Sequence, residues 1–192
     1  MELQIENIIA AYNTADDNGK NLLRTMFPNL EFERDKQAEK RPITERIKTF
    51  EDACKELGEE HLFVKQYNSN EMADVDTDLD AYLKLRIICE ALNEGWKPEF
   101  TEDEWHYYSW FFLYTQEELD NMNSSEKKDR RMIDTGDYQT EFAGFGYANS
   151  YYAPSDTSAY VGSRLCLRSR ELAVYCGKQF IKLWADFNLI RK

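Results

Sequence analysis

Apolar positions recur at helical spacing in two short segments near the N-terminus. Residues 4–12 carry the first stripe, and a second short segment follows a polar Asp-Asp-Asn-Gly turn and stops at Pro28. Together they predict a helical hairpin arm over residues 1–32. Residues 33–42 are almost free of apolar side chains and therefore predict a charged linker. The main domain is then expected to span residues 43–192.

The same pattern predicts three longer helices in the main domain. Thr49 is a typical N-cap residue, and the helix it begins is expected to end at Gly58. Apolar residues at helical spacing across 81–96 predict a long helix closed by Gly95. Ser169 caps a final helix with an apolar stripe. Between these helices, 43–48 is predicted as a short strand, 59–78 is a polar stretch, and 120–137 is predicted to be a mobile loop.

Aromatic residues dominate the segment from Trp105 to Tyr114, which is predicted to be a β-strand. Side chains alternate across a strand, so rings would lie on both faces. One face would carry Trp105, Tyr107, Ser109, Phe111 and Leu113, and the other His106, Tyr108, Trp110, Phe112 and Tyr114. Two interpretations stay open: a central strand covered on both sides, or a ring-lined surface for a partner or ligand.

Residues 138–167 alternate aromatic and β-branched positions with glycines and Pro154, which predicts two or three short strands with irregular turns. The elements together predict an α+β fold. Its small mixed or antiparallel sheet is packed with helices and preceded by the helical hairpin.

The formal net charge of −12 is concentrated in the middle of the chain, where residues 43–104 hold 17 acidic and 7 basic side chains. Such a field repels phosphate backbones, so direct binding of nucleic acid is not expected. It favours a protein partner, including one with a basic surface; the alternative is that the charge only maintains solubility. The candidate partner-binding residues are Asp74, Asp76, Asp80, Trp105, Tyr108 and Trp110.

A basic and tyrosine-rich segment near the C-terminus offers a second kind of site. Arginines can bind an anion, and tyrosine rings can stack on a base or sugar. The candidate ligand-binding residues are Tyr147, Tyr151, Tyr152, Tyr160, Arg164 and Arg168. The structural alternative is that these cations pair with the acidic middle region.

The chain offers little material for metal or nucleophilic chemistry. Its four cysteines form no C-x-x-C pair, it has only two histidines, and neither a phosphate loop nor a nucleophile elbow occurs. The alternating aspartates from Asp74 to Asp80 lack the glycine and glutamate of a calcium loop. No metal, cofactor or disulfide is therefore expected. A third hypothesis is an enzyme in which Glu104 performs acid–base chemistry.

Cellular location follows from what the sequence lacks. No run of about 18 apolar residues occurs, so no membrane span is expected. The first residues also lack the basic and apolar regions of a signal peptide. These features predict an intracellular, cytoplasmic protein.

Residues 46–58, 83–96 and 162–173, together with Gly-Lys-Gln-Phe at 177–180, resemble a family of uncharacterised proteins. That family is encoded by Bacteroides-type gut bacteria and by their phages and prophages, and it shares the aromatic stretch and a glycine-rich loop. The resemblance implies a mobile-element context and carries over no catalytic residue. The leading hypothesis is a non-enzymatic binding protein of a phage or mobile element that acts through protein–protein contact, as a virion component or as an inhibitor of a host defence protein. The alternative is a small-ligand or nucleotide-binding module.

Overall fold

The structure is a computed structural model that describes residues 5–28, 30, 41–69, 77–99, 101, 104–154 and 163–192. The chain divides into two units, Met1–Pro42 and Ile43–Lys192. Apart from its last two residues, the predicted linker at 33–42 lies outside the described residues.

The first unit contains the predicted helical hairpin, formed by α1 (Ile5–Thr14) and α2 (Asp17–Met26). Asp16 caps α2 because its side chain accepts a hydrogen bond from the N–H of Gly19. The buried side chains of Ile8 and Tyr12 pack against apolar residues of α2 and the turn that follows it. Its small core is therefore built from the two apolar stripes that the sequence shows.

Among the described residues of the second unit, four helices precede the sheet: α3 (Ile43–Arg46), α4 (Phe50–Leu57), α5 (Leu62–Asn68) and α6 (Thr77–Leu92). Thr49 caps α4 in a reciprocal capping box with Asp52, as its sequence predicts.

The strand predicted for 43–48 is wrong. Ile47 donates its N–H to the C=O of Ile43 at 3.0 Å, and both side chains are buried one helical turn apart. Tertiary burial here overrides the β-propensity of isoleucine.

In the described ranges, the sheet has three antiparallel strands, β1 (Trp105–Tyr114), β2 (Ile133–Asp134) and β3 (Gly144–Pro154), in the order β1-β3-β2. The register of β1 and β3 shifts once, between Trp110 and Phe111, where Ala148 of β3 has no partner. The predicted α+β fold is therefore confirmed, and the sheet is antiparallel.

The connection between β1 and β2 contains two short helices, α7 (Gln116–Asn121) and α8 (Ser124–Asp129). The loop predicted for 120–137 is therefore wrong over α8 and β2. Asn123 caps α8 in a second capping box, which stabilises a helix that has no buried residue. Local hydrogen bonding, not an apolar stripe, specifies this helix.

Two C-terminal helices join the sheet to the other helices. A 3₁₀ turn at Ser163–Leu165 leads to α9 (Arg170–Gln179), which packs on β1 and β3, and then to α10 (Ile181–Asn188), which packs on α6. The hydroxyl of Tyr175 donates to the C=O of Ile47 at 2.6 Å, and the amide of Gln179 donates to the C=O of Lys48 at 2.8 Å. These bonds fasten α9 to the segment before α4.

Both faces of β1 are largely covered. On one face, Ser109 donates its hydroxyl to the C=O of Ala173 at 2.7 Å, and the ring of Phe111 lies 5.3 Å from that of Trp184. On the other face, His106, Tyr108 and Tyr114 are also buried. Exposed rings occur at two positions, Trp105 (48% exposed) and Phe112 (54%). The interpretation as a covered strand therefore fits most of β1.

Candidate functional site

The outer edge of β1 has no strand partner along its second half in the described part of the chain; Phe111 and Leu113 are partly exposed there, whereas Ser109 is buried. Toward the start of the strand, Tyr107 exchanges two backbone hydrogen bonds with Leu167, at 3.1 and 2.9 Å. Alternate residues of an antiparallel strand direct their N–H and C=O groups to the same side. Ser109, Phe111 and Leu113 therefore direct six backbone groups to this same edge, and among the described residues none bonds to them there.

The bonding of β3 supports this assignment. The residue opposite Phe111 is Tyr147, and its N–H donates away from β1, to the C=O of Arg130 at 2.8 Å. The residue opposite Leu113 is Phe145, which pairs with Ile133 of β2 on the far side. Both are therefore pairs that exchange no hydrogen bonds across β1 and β3. The backbone groups of Phe111 and Leu113 must point outward.

A groove of about 460 Å³ runs beside this open edge. Its lining is mainly aromatic and aliphatic: Ser109, Trp110, Phe111, Phe112, Leu113, Phe145, Trp184, Asn188 and Leu189. The ring of Phe111 stacks on Phe145 at 5.0 Å. The indole N–H of Trp184 has no hydrogen-bond acceptor in the described parts of the chain. An open row of backbone groups thus borders an apolar groove.

The predicted partner-binding residues do not form one surface. Trp110 lines the groove, whereas Trp105 is exposed outside its lining. Tyr108 is buried, and burial raises the pKa of its hydroxyl to about 12. Asp80 binds Lys84 at 2.7 Å within α6. Asp74 and Asp76 lie outside the described residues. Of the described residues in the predicted partner-binding set, Trp110 lies in the groove beside the outer edge of β1.

A second cavity, of about 350 Å³, is lined by residues of α5, α6, the segment after α6 and the 3₁₀ turn. Arg86, Lys97 and Arg164 line it, together with the carboxylate of Glu90. Across the described ranges, no carboxylate pairs with any of these three cations. The guanidinium of Arg86 lies 4.6 Å from the centre of the Phe63 ring. The cavity therefore has an excess of positive charge in an acidic chain.

Hydrogen bonds fix the walls of this cavity. The buried side chain of Asn93 donates to the C=O of Cys166 at 3.0 Å and accepts from the N–H of Arg168 at 3.0 Å. The indole of Trp96 donates to Glu104 at 3.0 Å. Burial raises the pKa of the Cys166 thiol to about 12, so this wall adds no negative charge at neutral pH. We infer a preformed cavity.

Glu104 is held as a carboxylate. Burial raises the pKa of its carboxyl, but hydrogen bonds from the N–H of Glu99, from His106 and from Trp96 outweigh burial, and the pKa lies below its usual value. A carboxylate in this state is a poor general acid. The described contacts instead give Glu104 the role of orienting Trp96.

The structure separates the residues of the predicted ligand site. Arg164 lines the cavity, but Arg168 pairs with Glu94, which also binds Arg46. Tyr147 is buried, its ring lying 6.1 Å from that of Phe111, so it is not available for stacking on a ligand. The side chains of Tyr151 and Tyr152, and all of Tyr160, lie outside the described part of the structure. Only Arg164 of this set is placed at a site.

Sequence reasoning missed Arg86, Glu90, Lys97 and Trp96. One signal was present, because Arg86 and Glu90 are one turn apart in the otherwise apolar part of α6. Charged side chains within such a segment need either a partner or water, and here they meet at a cavity.

Other kinds of site are not found in the described ranges. No group of three or more potential metal-ligating side chains occurs there, and the four cysteines are free thiols. None of the helices described is both long enough and apolar enough to span a membrane.

Comparison with known proteins gave no matching family model, no matching curated protein and no matching solved structure. The implied mobile-element context therefore stays a prediction from the resemblance of residues 46–58, 83–96 and 162–180. Function must be argued from the two sites themselves.

Proposed function

We propose that this protein binds an extended segment of a partner protein along the open edge of β1. The observation that carries the proposal is that the outward backbone groups of Phe111 and Leu113, which are partly exposed beside the apolar groove, bond to none of the described residues. An added strand satisfies such a row by β-augmentation, and the groove then receives alternate side chains of the added strand. Among peptide-recognition modes, only an extended backbone offers donors and acceptors at this spacing.

The groove and the charge of the chain define the partner segment. Aromatic lining favours large apolar side chains at alternate positions. The net charge of −12, with Glu117 exposed just after β1, favours a segment that also carries lysine or arginine. On the resemblance alone, we propose that this partner belongs to a phage or its bacterial host. The protein would then act as a virion component or as an inhibitor of a host defence protein.

The test uses short random peptides displayed for selection against the full chain, followed by affinity measurement on one recovered synthetic peptide. Leu113→Pro removes an outward N–H, and edge strands tolerate proline at such positions. Leu113→Ala is its matched control, because it shortens the side chain but keeps the N–H. We expect Leu113→Pro to weaken binding about tenfold relative to Leu113→Ala. Phe112→Lys should also weaken binding, whereas Leu62→Lys, at an exposed position on α5, should not.

Amide hydrogen exchange gives a second readout. Peptide binding should slow exchange at Phe111 and Leu113, with little change at Trp110 and Phe112, which already face β3. The proposal is overturned if no peptide is recovered, if protection appears elsewhere, or if Leu113→Pro binds as well as Leu113→Ala. A homodimer that Leu113→Pro dissociates would overturn it too, since a second copy would then occupy the edge.

A further inference from the structure

Several cations of this chain pair with a carboxylate, for example Arg46, Lys84, Arg168, Lys178 and Arg191. In the described part of the chain, no carboxylate pairs with Arg86, Lys97 or Arg164, although the chain holds 36 acidic residues and 24 basic ones. These three side chains line one cavity. Unpaired positive charges gathered in a concave site of an acidic protein are suited to binding an anion.

Phosphate is the anion that best matches the three cations. A phosphate group at neutral pH carries up to two charges and has several acceptor oxygens, and arginine guanidinium groups bind it through charge-assisted hydrogen bonds. The cavity volume of about 350 Å³ lies near the lower end of the range for small-molecule sites, roughly 300–1,000 Å³. The cavity therefore has room for a phosphate joined to a small organic group.

The remaining lining residues specify the organic group. Trp96 supplies an aromatic wall whose indole N–H is already held by Glu104 at 3.0 Å. The carboxylate of Glu90 repels a second anion but accepts hydrogen bonds from hydroxyl or amino groups; its only described partner is His61, at 3.2 Å. A planar ring that carries hydrogen-bond donors thus complements the side of the cavity formed by Trp96 and Glu90.

We infer that this cavity binds a nucleoside monophosphate, with Arg86, Lys97 and Arg164 on the phosphate, Trp96 against the base and Glu90 accepting from the sugar or base. This site involves none of the residues that line the β1 groove. It is therefore a second site, independent of the proposed peptide interaction.

The test measures binding of AMP to the full chain by isothermal titration calorimetry, with inorganic phosphate and adenosine as separate probes. We expect AMP to bind more tightly than either. Arg164→Gln and Lys97→Gln should each weaken AMP binding about tenfold. Both side chains are exposed, so neither change is expected to unfold the domain. Arg168→Gln is the matched control, because Arg168 pairs with Glu94 outside the cavity, and its AMP affinity should stay close to wild type.

A fourth variant, Glu90→Gln, tests the assigned orientation. Removing this negative charge should strengthen binding of inorganic phosphate and reduce the preference for AMP over phosphate. The inference is overturned if AMP does not bind at millimolar concentration, if phosphate binds as tightly as AMP, or if Arg168→Gln loses as much affinity as Arg164→Gln. None of these variants touches the β1 edge, so failure here is distinguishable from failure of the peptide proposal.

Discussion

Replacing Gly177 by alanine tests how closely α9 packs on the sheet. A Cβ atom at Gly177 would lie 2.7 Å from Cδ2 of Tyr147 and 2.9 Å from Cβ of Ser109. Both distances are well below the favourable carbon–carbon separation of about 3.5–4.0 Å. Tyr147 is buried, and Ser109 is bonded to Ala173 one turn earlier in the same helix. Neither neighbour can move away without disturbing other contacts.

Two opposing effects set the magnitude of this change. Alanine is more favourable than glycine inside a helix by about 1 kcal/mol. Overpacking a close-packed core is unfavourable by about 1–3 kcal/mol, and three contacts below 3.0 Å with two held neighbours place Gly177→Ala in the upper part of that range. We therefore expect net destabilisation of about 1–2 kcal/mol. In a domain of this size, that lowers the melting temperature by about 2–8 °C.

The assay is urea denaturation followed by tryptophan fluorescence and far-ultraviolet circular dichroism. Wild type, Gly177→Ala, Tyr147→Leu and the double variant form a thermodynamic cycle. Because Tyr147→Leu removes the ring that the new methyl group meets, the effect of Gly177→Ala should fall by about half in that background. If Gly177→Ala is as stable as wild type, the close approach of α9 to β1 and β3 is wrong.

Three further changes have defined outcomes. Asn93→Ala leaves the buried C=O of Cys166 and the part-buried N–H of Arg168 without their side-chain partner and should destabilise the fold by about 2–4 kcal/mol in urea; a change below about 1 kcal/mol would contradict that role. The pKa of Asp52 is lowered, first by the N–H of Lys48, so its stabilising contribution is present above the ordinary pKa of 3.8 and is lost as the pH falls through the lowered value. The Asp52→Asn variant should accordingly lose less stability than wild type on acidification below pH 4. Equal dependence of the unfolding free energy on pH in the two proteins would refute the stabilising role of the Asp52 carboxylate. Only Cys54 of the four cysteines is not fully buried, and burial raises the pKa of the Cys166 thiol to about 12. A thiol reagent at pH 8 should therefore modify at most Cys54 before the protein unfolds. Rapid reaction of the other three thiols would show that the core is open.

The long helix α6, the caps of α4 and α9, and the aromatic strand β1 could be predicted because each carries a strong local signal. Thr49 and Ser169 are capping residues in the structure as in the sequence pattern. Two segments were predicted wrongly: α8, which has a capping box but no apolar stripe, and residues 43–48. Ile43 and Ile47 favour a strand by propensity, and only the surrounding core selects a helical turn.

The two sites were less accessible to prediction than the fold. The ring-rich character of β1 is visible in the sequence, but its open edge depends on the strand order β1-β3-β2 and on a single bridge to Leu167. The cationic cavity unites Phe63, Arg86, Lys97 and Arg164, which are far apart along the chain. Arg164 was identified from its charge, whereas Arg168, which is equally basic, pairs with Glu94. Which arginine lacks a partner is a property of the tertiary structure.

The two bonds from α9 to residues 47 and 48 affect the order of events during synthesis. Tyr175 and Gln179 bind carbonyls that are 128 and 131 positions earlier in the chain. Trp184 completes the same core. Contacts of such long range slow folding, since the intervening loop must be closed before they form. On a ribosome, the second unit cannot complete its core until residues 170–188 have emerged. Until then α4 and α6 expose apolar surface, so early contact with a chaperone would be advantageous.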